Sequence, residues 1–377
     1  MPEASWTAPG RVNLIGEHTD YNEGFCLPLA IGKGCRAIAA ELDDPVVEVV
    51  SRQRDEPVEI ALDELAPGGM AEDQAWAGYV VGVLWALRQQ GHRLAGVSIE
   101  LDSDIPVGAG LSSSAAIECS VAGAVNALFE LGLSRPELVA VARTAENDFV
   151  GAPTGGMDQL ASVFGEPDRA LLCDMRSMRV EPVEFDLAAA GLSLLVTDTQ
   201  AAHQLTDGRY GQLRADCEAA ARELGVPALR DLTLDDLPAL DRLSSDRLRR
   251  RARHVITEND RTLACADLLR TGQLRRIGPL LSASHASMRD DLANSVPEVE
   301  LAVEVMAAFG AYGARMTGGG FGGCVIGLFD PEQARAARVG IDGAFAGRGY
   351  RPPASFEVSA AAGLRPSDDR ADGGQSG

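Results

Sequence analysis

The sequence predicts an α+β protein of two domains, and three observations carry that reading. The chain has 377 residues, 46% hydrophobic and 24% charged, which is globular and long for a single core. Strand-like alternation and helical periodicity both occur in each half. Glycine-rich loops sit where a strand pattern gives way to a helix or to another strand. The boundary is expected after residue 178, giving domains 1–178 and 179–364 and a tail 365–377.

In chain order, FCLPLAI and CRAIAAEL read as strands, as do VVEVVS and VEIAL. WAGYVVGVLWALRQQG has apolar residues at helical spacing and Gly91 as a C-cap. GVSIELDSDIP alternates and stops at proline. Ala115 to Leu131 is an apolar-rich helix ended by Gly132. SRPELVAVARTAENDFVG starts on a serine cap and is helical. ALLCDM and SLLVTD are strands across a turn-rich connection. The stretch from Tyr210 to Phe309 is mostly helical, and VIGLF and SFEVSAA are late strands. The tail from Arg365 is small and polar and is expected to be disordered.

Composition excludes several classes. A net charge of −21 argues against nucleic acid and against anionic membrane. Lys33 is the only lysine, so a nucleotide site must use backbone dipoles, arginine and metal. The seven cysteines are scattered without a CxxC pair, which suits buried thiols in a reducing compartment. No basic-then-apolar leader pattern opens the chain, and no apolar run is long enough to span a bilayer. A cytoplasmic protein is expected.

Three stretches carry the chemistry. GRVNLIGEHTDYNEG, Gly10 to Gly24, combines Arg11, Glu17, His18 and Asp20 ahead of an apolar run, unlike core or ordinary loop. VGAGLSSSAA, Val107 to Ala116, lies between a strand and a helix, where backbone N–H groups can bind an anion. It lacks the third glycine of a dinucleotide fingerprint and the lysine of a P-loop. Glu118 follows Ser114 by four residues, so both share a helix face and can converge on one Mg²⁺. A serine-rich N-cap with Glu118 favouring the helix dipole explains the same fragment. MTGGGFGGC, Met316 to Cys324, packs five glycines into six residues before a buried strand, far beyond the needs of a turn. Asp158, opening a helix in GAPTGGMDQLASVFG, is either a dipole-favoured acid or a base for an attacking hydroxyl.

Together these motifs resemble the GHMP small-molecule kinases, and GRVNLIGEHTDYNEG is similar to the sugar signature of their galactokinase branch. WAGYVVGV, GGMDQLAS, RYGQLRADCE and SHASMRDDLANSVPE resemble the same family. The resemblance runs from about Ala8 to Ala361 and implies two α/β domains with the active site in the cleft between them. It implies ATP-dependent phosphorylation of α-D-galactose at O1, with Mg²⁺. Glu17, His18 and Asp20 would hold sugar hydroxyls, with Tyr210 at the sugar pocket and Gly155 and Gly156 flanking the base. Asp158 would be the base, with Arg11 beside the transferring phosphoryl group. Gly108, Gly110, Leu111, Ser112, Ser113, Ser114 and Ala115 would wrap the phosphates, with Ser114 and Glu118 on the metal. Trp76 would pack near the adenine with Tyr79 close by; helix-face core is the other reading of both. The family often has a basic residue eight positions before the tyrosine, and this chain has Ala202 there, followed by His203. A sister sugar kinase acting on N-acetylgalactosamine or arabinose, or a non-catalytic galactose and ATP sensor, would share many of these motifs. Galactose and ATP are the expected partners of a monomer.

Overall fold

Strands form where apolar residues alternate, but the first strand of this fold does not alternate, and it organises the rest. A computed structural model describes residues 2–106, 108–201 and 208–367. The chain opens with β1 (Glu3–Asn13), β2 (Phe25–Cys26), β3 (Pro28–Leu42), β4 (Val46–Ser51) and β5 (Val58–Ala61). Helix α1 (Gly78–Gln89) and β6 (Gly96–Ser103) follow, then α2 (Ser113–Leu128), α3 (Arg135–Thr144) and α4 (Met157–Phe164). A hairpin of β7 (Arg169–Asp174) and β8 (Arg179–Glu184) leads to β9 (Ser193–Asp198). The helices α5 (Arg209–Leu224), α6 (Asp246–Arg270), α7 (Gly278–Ser287) and α8 (Pro297–Ala308) come next. The last elements are β10 (Gly313–Thr317), β11 (Cys324–Phe329), α9 (Pro331–Arg348), β12 (Ala354–Val358) and β13 (Arg365–Pro366).

The described strands make three sheets. The first runs β13-β1-β3-β6-β4-β5, the second β10-β11-β9-β12, and the third β2-β7-β8. Among the described residues only β4 and β6 pair in parallel; the other ladders are antiparallel. β3 alternates buried and half-buried residues along Cys35–Ala39, as a sheet with one covered face requires. α2 packs on β1 and β3, and α7 packs on β10. α3 starts as its sequence dictates: the Glu137 carboxylate accepts from the Ser134 N–H at 2.8 Å, and Pro136 sits in the first turn.

Two expectations are corrected, those of the turn-rich connection and of the start of the tail. The division at 178/179 falls in the turn of the β7–β8 hairpin, where Asp174 pairs with Arg179. The main core also crosses it, joining Val12 and Ile99 to Leu194 and Ile326. The turn-rich connection after ALLCDM therefore contains a strand, β8, which proline and acidic residues disguise. The tail does not begin at Arg365: Arg365 and Pro366 pair with Thr7 and Trp6 of β1. β1 itself escaped the pattern because its buried stretch from Ala8 to Asn13 mixes proline, glycine, arginine and asparagine with only two other residues, Ala8 and Val12.

Candidate active site

Gly10 marks where β1 meets the loop after β6. A Cβ at Gly10 would lie 2.6 Å from the Leu111 carbonyl, so glycine is required there. The ladder shifts register between Pro9 and Arg11, and this bulge aims Arg11. The Arg11 main-chain N–H donates to the Leu111 carbonyl at 3.1 Å, and its Nη1 donates to the Gly110 carbonyl at 2.7 Å. Nε and Nη2 then grip both oxygens of Asp158, at 2.7 and 3.0 Å. A fork on a carboxylate is a strong charge-assisted geometry. Burial opposes the Arg11 charge, but Asp158, Glu17 and Asp20 outweigh it and raise its pKa.

Asp158 stands in the first turn of α4, which follows Gly156 in the left-handed region at φ +101°. Ser112 donates its hydroxyl to Asp158. Ser112 occupies the N-cap position of α2 at φ 60°, ψ 50°, yet its side chain does not cap the helix. The simple N-cap reading therefore fails for this serine, whose strained backbone serves the contact with Asp158. Gly108 and Gly110 also take positive φ, 77° and 73°. Leu111 and Ala115 are buried beneath the loop, and Ser113 is half-buried at the start of α2.

The sugar-signature loop lies on the other side of Asp158. Glu17 is buried and its Oε1 accepts from the Gly318 N–H (2.8 Å), the Thr317 hydroxyl (3.2 Å) and Arg315 (3.4 Å). His18 is buried at φ 60°, with Nδ1 2.8 Å from the Tyr21 hydroxyl and Nε2 3.2 Å from the Gly319 carbonyl. Burial, with His254 nearby, lowers its pKa to about 3, so the ring is neutral. A neutral ring has one donor and one acceptor nitrogen, and Nε2 also lies 3.0 Å from the Asn294 amide nitrogen. Asp20 accepts from the Gly155 N–H at 3.0 Å. A Cβ on Gly155 would come within 2.6 Å of Asp20, so the glycine keeps these elements together. Burial and then Asp158 push the Asp20 pKa up to about 6. Tyr210 packs tilted against His18 at 5.4 Å and edge-on to Tyr21 at 5.8 Å, ring centre to ring centre. The third glycine motif touches both loops. Gly318 bonds Glu17, and a Cβ on it would sit 3.4 Å from the Gly110 carbonyl.

Behind the phosphate loop sit two buried carboxylates. Ser114 does not donate to Glu118; its hydroxyl donates to Glu146 at 2.9 Å. Glu146 lies in a π-helical turn, Ala145–Val150, and also accepts from Thr154 (2.6 Å) and Gln159 (2.7 Å). Gln159 donates from the same nitrogen to Glu118 Oε2 at 3.0 Å, while buried Glu118 Oε1 has no partner. Burial raises the pKa of both acids, Glu118 to well above its ordinary value; the next causes are Glu146 for Glu118 and Asp158 for Glu146. An unpartnered buried carboxylate oxygen beside a second acid and a serine hydroxyl fits Mg²⁺, which takes one or two carboxylates and leaves its other positions to phosphate and water. Among the described residues no cluster of three or more His, Cys, Asp or Glu side chains could hold a metal by itself.

The structure thus brings Arg11, Glu17, His18, Asp20, Gly155, Gly156, Asp158, Tyr210 and Ser112 into one neighbourhood. Ser114 and Glu118 adjoin it through Glu146 and Gln159. Tyr79 is near these acids, since after burial they are the causes of its raised pKa. Trp76 is half-buried against the main core. Ala202 and His203 lie outside the described residues. Sequence reasoning did not single out Glu146, Gln159, Thr317 or the buried face of α6, a stretch it read only as helical. All seven cysteines are buried and free, and no described helix is long and apolar enough to cross a membrane.

Comparison with known proteins shows the family. Residues 1–41 match the galactokinase galactose-binding signature. Residues 78–166 match the GHMP kinases N terminal domain, and 265–346 the GHMP kinases C terminal domain. A galactokinase of Streptomyces coelicolor is 47% identical over 97% of this chain and 94% of its own length. One from Mycobacterium tuberculosis is 44% identical over 95% of this chain and 98% of its own. The crystal structure of Lactococcus lactis galactokinase complexed with galactose superposes with a TM-score of 0.91 at 31% identity, covering 97% of this chain and 95% of that one. A mevalonate kinase at 16% identity and TM-score 0.64 shares the fold. The chain belongs to the galactokinase family of the GHMP kinases.

Proposed function

We propose that the chain transfers the γ-phosphoryl group of ATP to O1 of α-D-galactose, giving galactose 1-phosphate and ADP. One observation carries this: Asp158, gripped at both oxygens by Arg11, stands where the phosphate loop and the sugar loop meet. Three of the roughly four lone-pair sites of Asp158 are taken by Arg11 and Ser112, leaving one for the sugar hydroxyl. The O1–H proton passes to that oxygen as O1 bonds to phosphorus and the bond to the ADP oxygen breaks. Arg11 then faces the charge that develops on the transferring group.

The remaining roles follow from position. Glu17 and Asp20 accept from sugar hydroxyls, and His18 with Tyr21 and Tyr210 forms an aromatic wall. A sugar with one hydroxyl misplaced leaves a buried acceptor unpaired, which can discriminate by about 10⁴-fold or more. The N-terminus of α2 and Gly108 to Ser113 cradle the phosphates. Ser114 with Glu118 and Glu146 would hold Mg²⁺, which neutralises phosphate charge when bound. The site is built from one chain, so a monomer suffices, and the buried thiols suit the cytoplasm.

The test is ADP release from Mg-ATP with galactose, 2-deoxygalactose, N-acetylgalactosamine, arabinose and glucose. Strong turnover with galactose and almost none with glucose is expected. Asp158→Asn is expected to lower kcat by about 10³-fold while galactose binding stays within about tenfold. Wild-type activity in that variant removes Asp158 as the base.

A further inference from the structure

The sugar loop is irregular and buried, so each of its backbone N–H and C=O groups needs a partner. Many of those partners come from one helix far along the chain. His254 of α6 has Nε2 3.0 Å from the Glu17 carbonyl. Glu258, one turn on, accepts from the Gly16 N–H at 2.9 Å. Asn259 accepts from the Phe25 N–H at 2.9 Å. Gly16 has φ +98°, and a Cβ on it would meet the Phe25 carbonyl at 2.5 Å and Thr262 at 3.1 Å. The loop is therefore pressed onto α6 with no slack at its pivot. His254, Glu258 and Asn259 recur at helical spacing on one face, and all are buried.

We infer that this face of α6 is a template that sets the shape of the sugar loop, and that His254 is the positioning residue for Glu17 and His18. It rests on the reading of Glu17, His18 and Asp20 as the sugar site. His254 bonds the carbonyl of Glu17, the peptide that joins Glu17 to His18. Its other nitrogen lies 2.9 Å from the Ser287 hydroxyl, whose oxygen is also 2.9 Å from Asp291, so the ring cannot swing freely. A fixed carbonyl fixes the next peptide plane, and with it the directions of both side chains. His254 touches neither phosphate loop nor Asp158. Its removal should move galactose recognition and leave ATP alone.

The experiment compares wild type with His254→Leu, which keeps the volume, and His254→Gln, whose amide reaches the same carbonyl. His254→Leu should raise the galactose KM about tenfold and shift the ATP KM less than about twofold. His254→Gln should return the galactose KM to within about threefold of wild type. An unmoved galactose KM in His254→Leu, or equal rises in both KM values, overturns the template. If His254→Leu does not fold, Asn259→Ala is read by the same split between the two KM values. Wild type that does not use galactose would instead defeat the functional reading, which separates the two failures.

Discussion

Glu118 and Glu258 are both fully buried, yet their surroundings drive them in opposite directions. Burial alone pushes each carboxyl pKa up. At Glu258, Arg261, His254 and Arg315 outweigh burial, and the pKa falls to about 2. Its oxygens accept from Gly16, Ser284 and Arg261. At Glu118 the next influence after burial is another acid, Glu146, and the pKa rises well above its usual value. One oxygen takes a single amide donor and the other takes none. Depth does not assign a role; the neighbours do. Glu258 is a completed anchor for the sugar loop. Glu118 keeps one buried oxygen without a partner, as the proposed Mg²⁺ role requires.

The largest test of that contrast is Glu258→Gln. Removing one partner from a buried charge cluster should cost about 3–5 kcal/mol of stability, read by denaturant unfolding at pH 7. A loss under about 1 kcal/mol would erase the contrast. Glu258 is held below its unfolded value near 4.3, so its contribution is present above that pH and is lost as pH falls toward about 2. Glu118 has the opposite sign. Its stabilising effect is full below about pH 4.3 and is lost as pH rises through its higher folded value. Without Mg²⁺, Glu118→Gln should therefore raise the melting temperature at pH 8 while increasing the Mg²⁺ concentration for half-activity about tenfold. A lower melting temperature with an unchanged metal titration contradicts the assignment. The smallest effect concerns Asp20, whose pKa is about 6. As a carboxylate acceptor it should make kcat/KM for galactose fall about tenfold per pH unit below about 6. A flat profile from pH 5 to 7 would deny Asp20 that role.

The same contrast explains what could be read in the sequence. Arg11, Glu17, Asp20, Ser112 and Asp158 lie in short stretches where charged and glycine residues interrupt apolar patterning, and the structure brings them together. Glu146 and Gln159 gave no local signal. Glu146 sits in a π-helical turn 28 residues after Glu118, and Gln159 looks like any polar helical residue. Their function exists only once α2, α4 and that turn pack. The α6 face is hidden for the same reason, since its residues act on main-chain groups more than 230 positions away. β1 and β8 escaped because arginine, glycine and proline break the alternation that announces a strand. Ser114 and Glu118 lie one turn apart on α2, as their spacing predicts, and the Ser114 hydroxyl donates to Glu146 from a distant turn.

The most direct measurement is phosphorus NMR of the product formed from Mg-ATP and galactose. The geometry of Asp158 between the two loops predicts one new phosphomonoester on the α-anomeric oxygen, appearing in step with ADP. A phosphate on O6, or ADP and inorganic phosphate without a sugar phosphate, would contradict it.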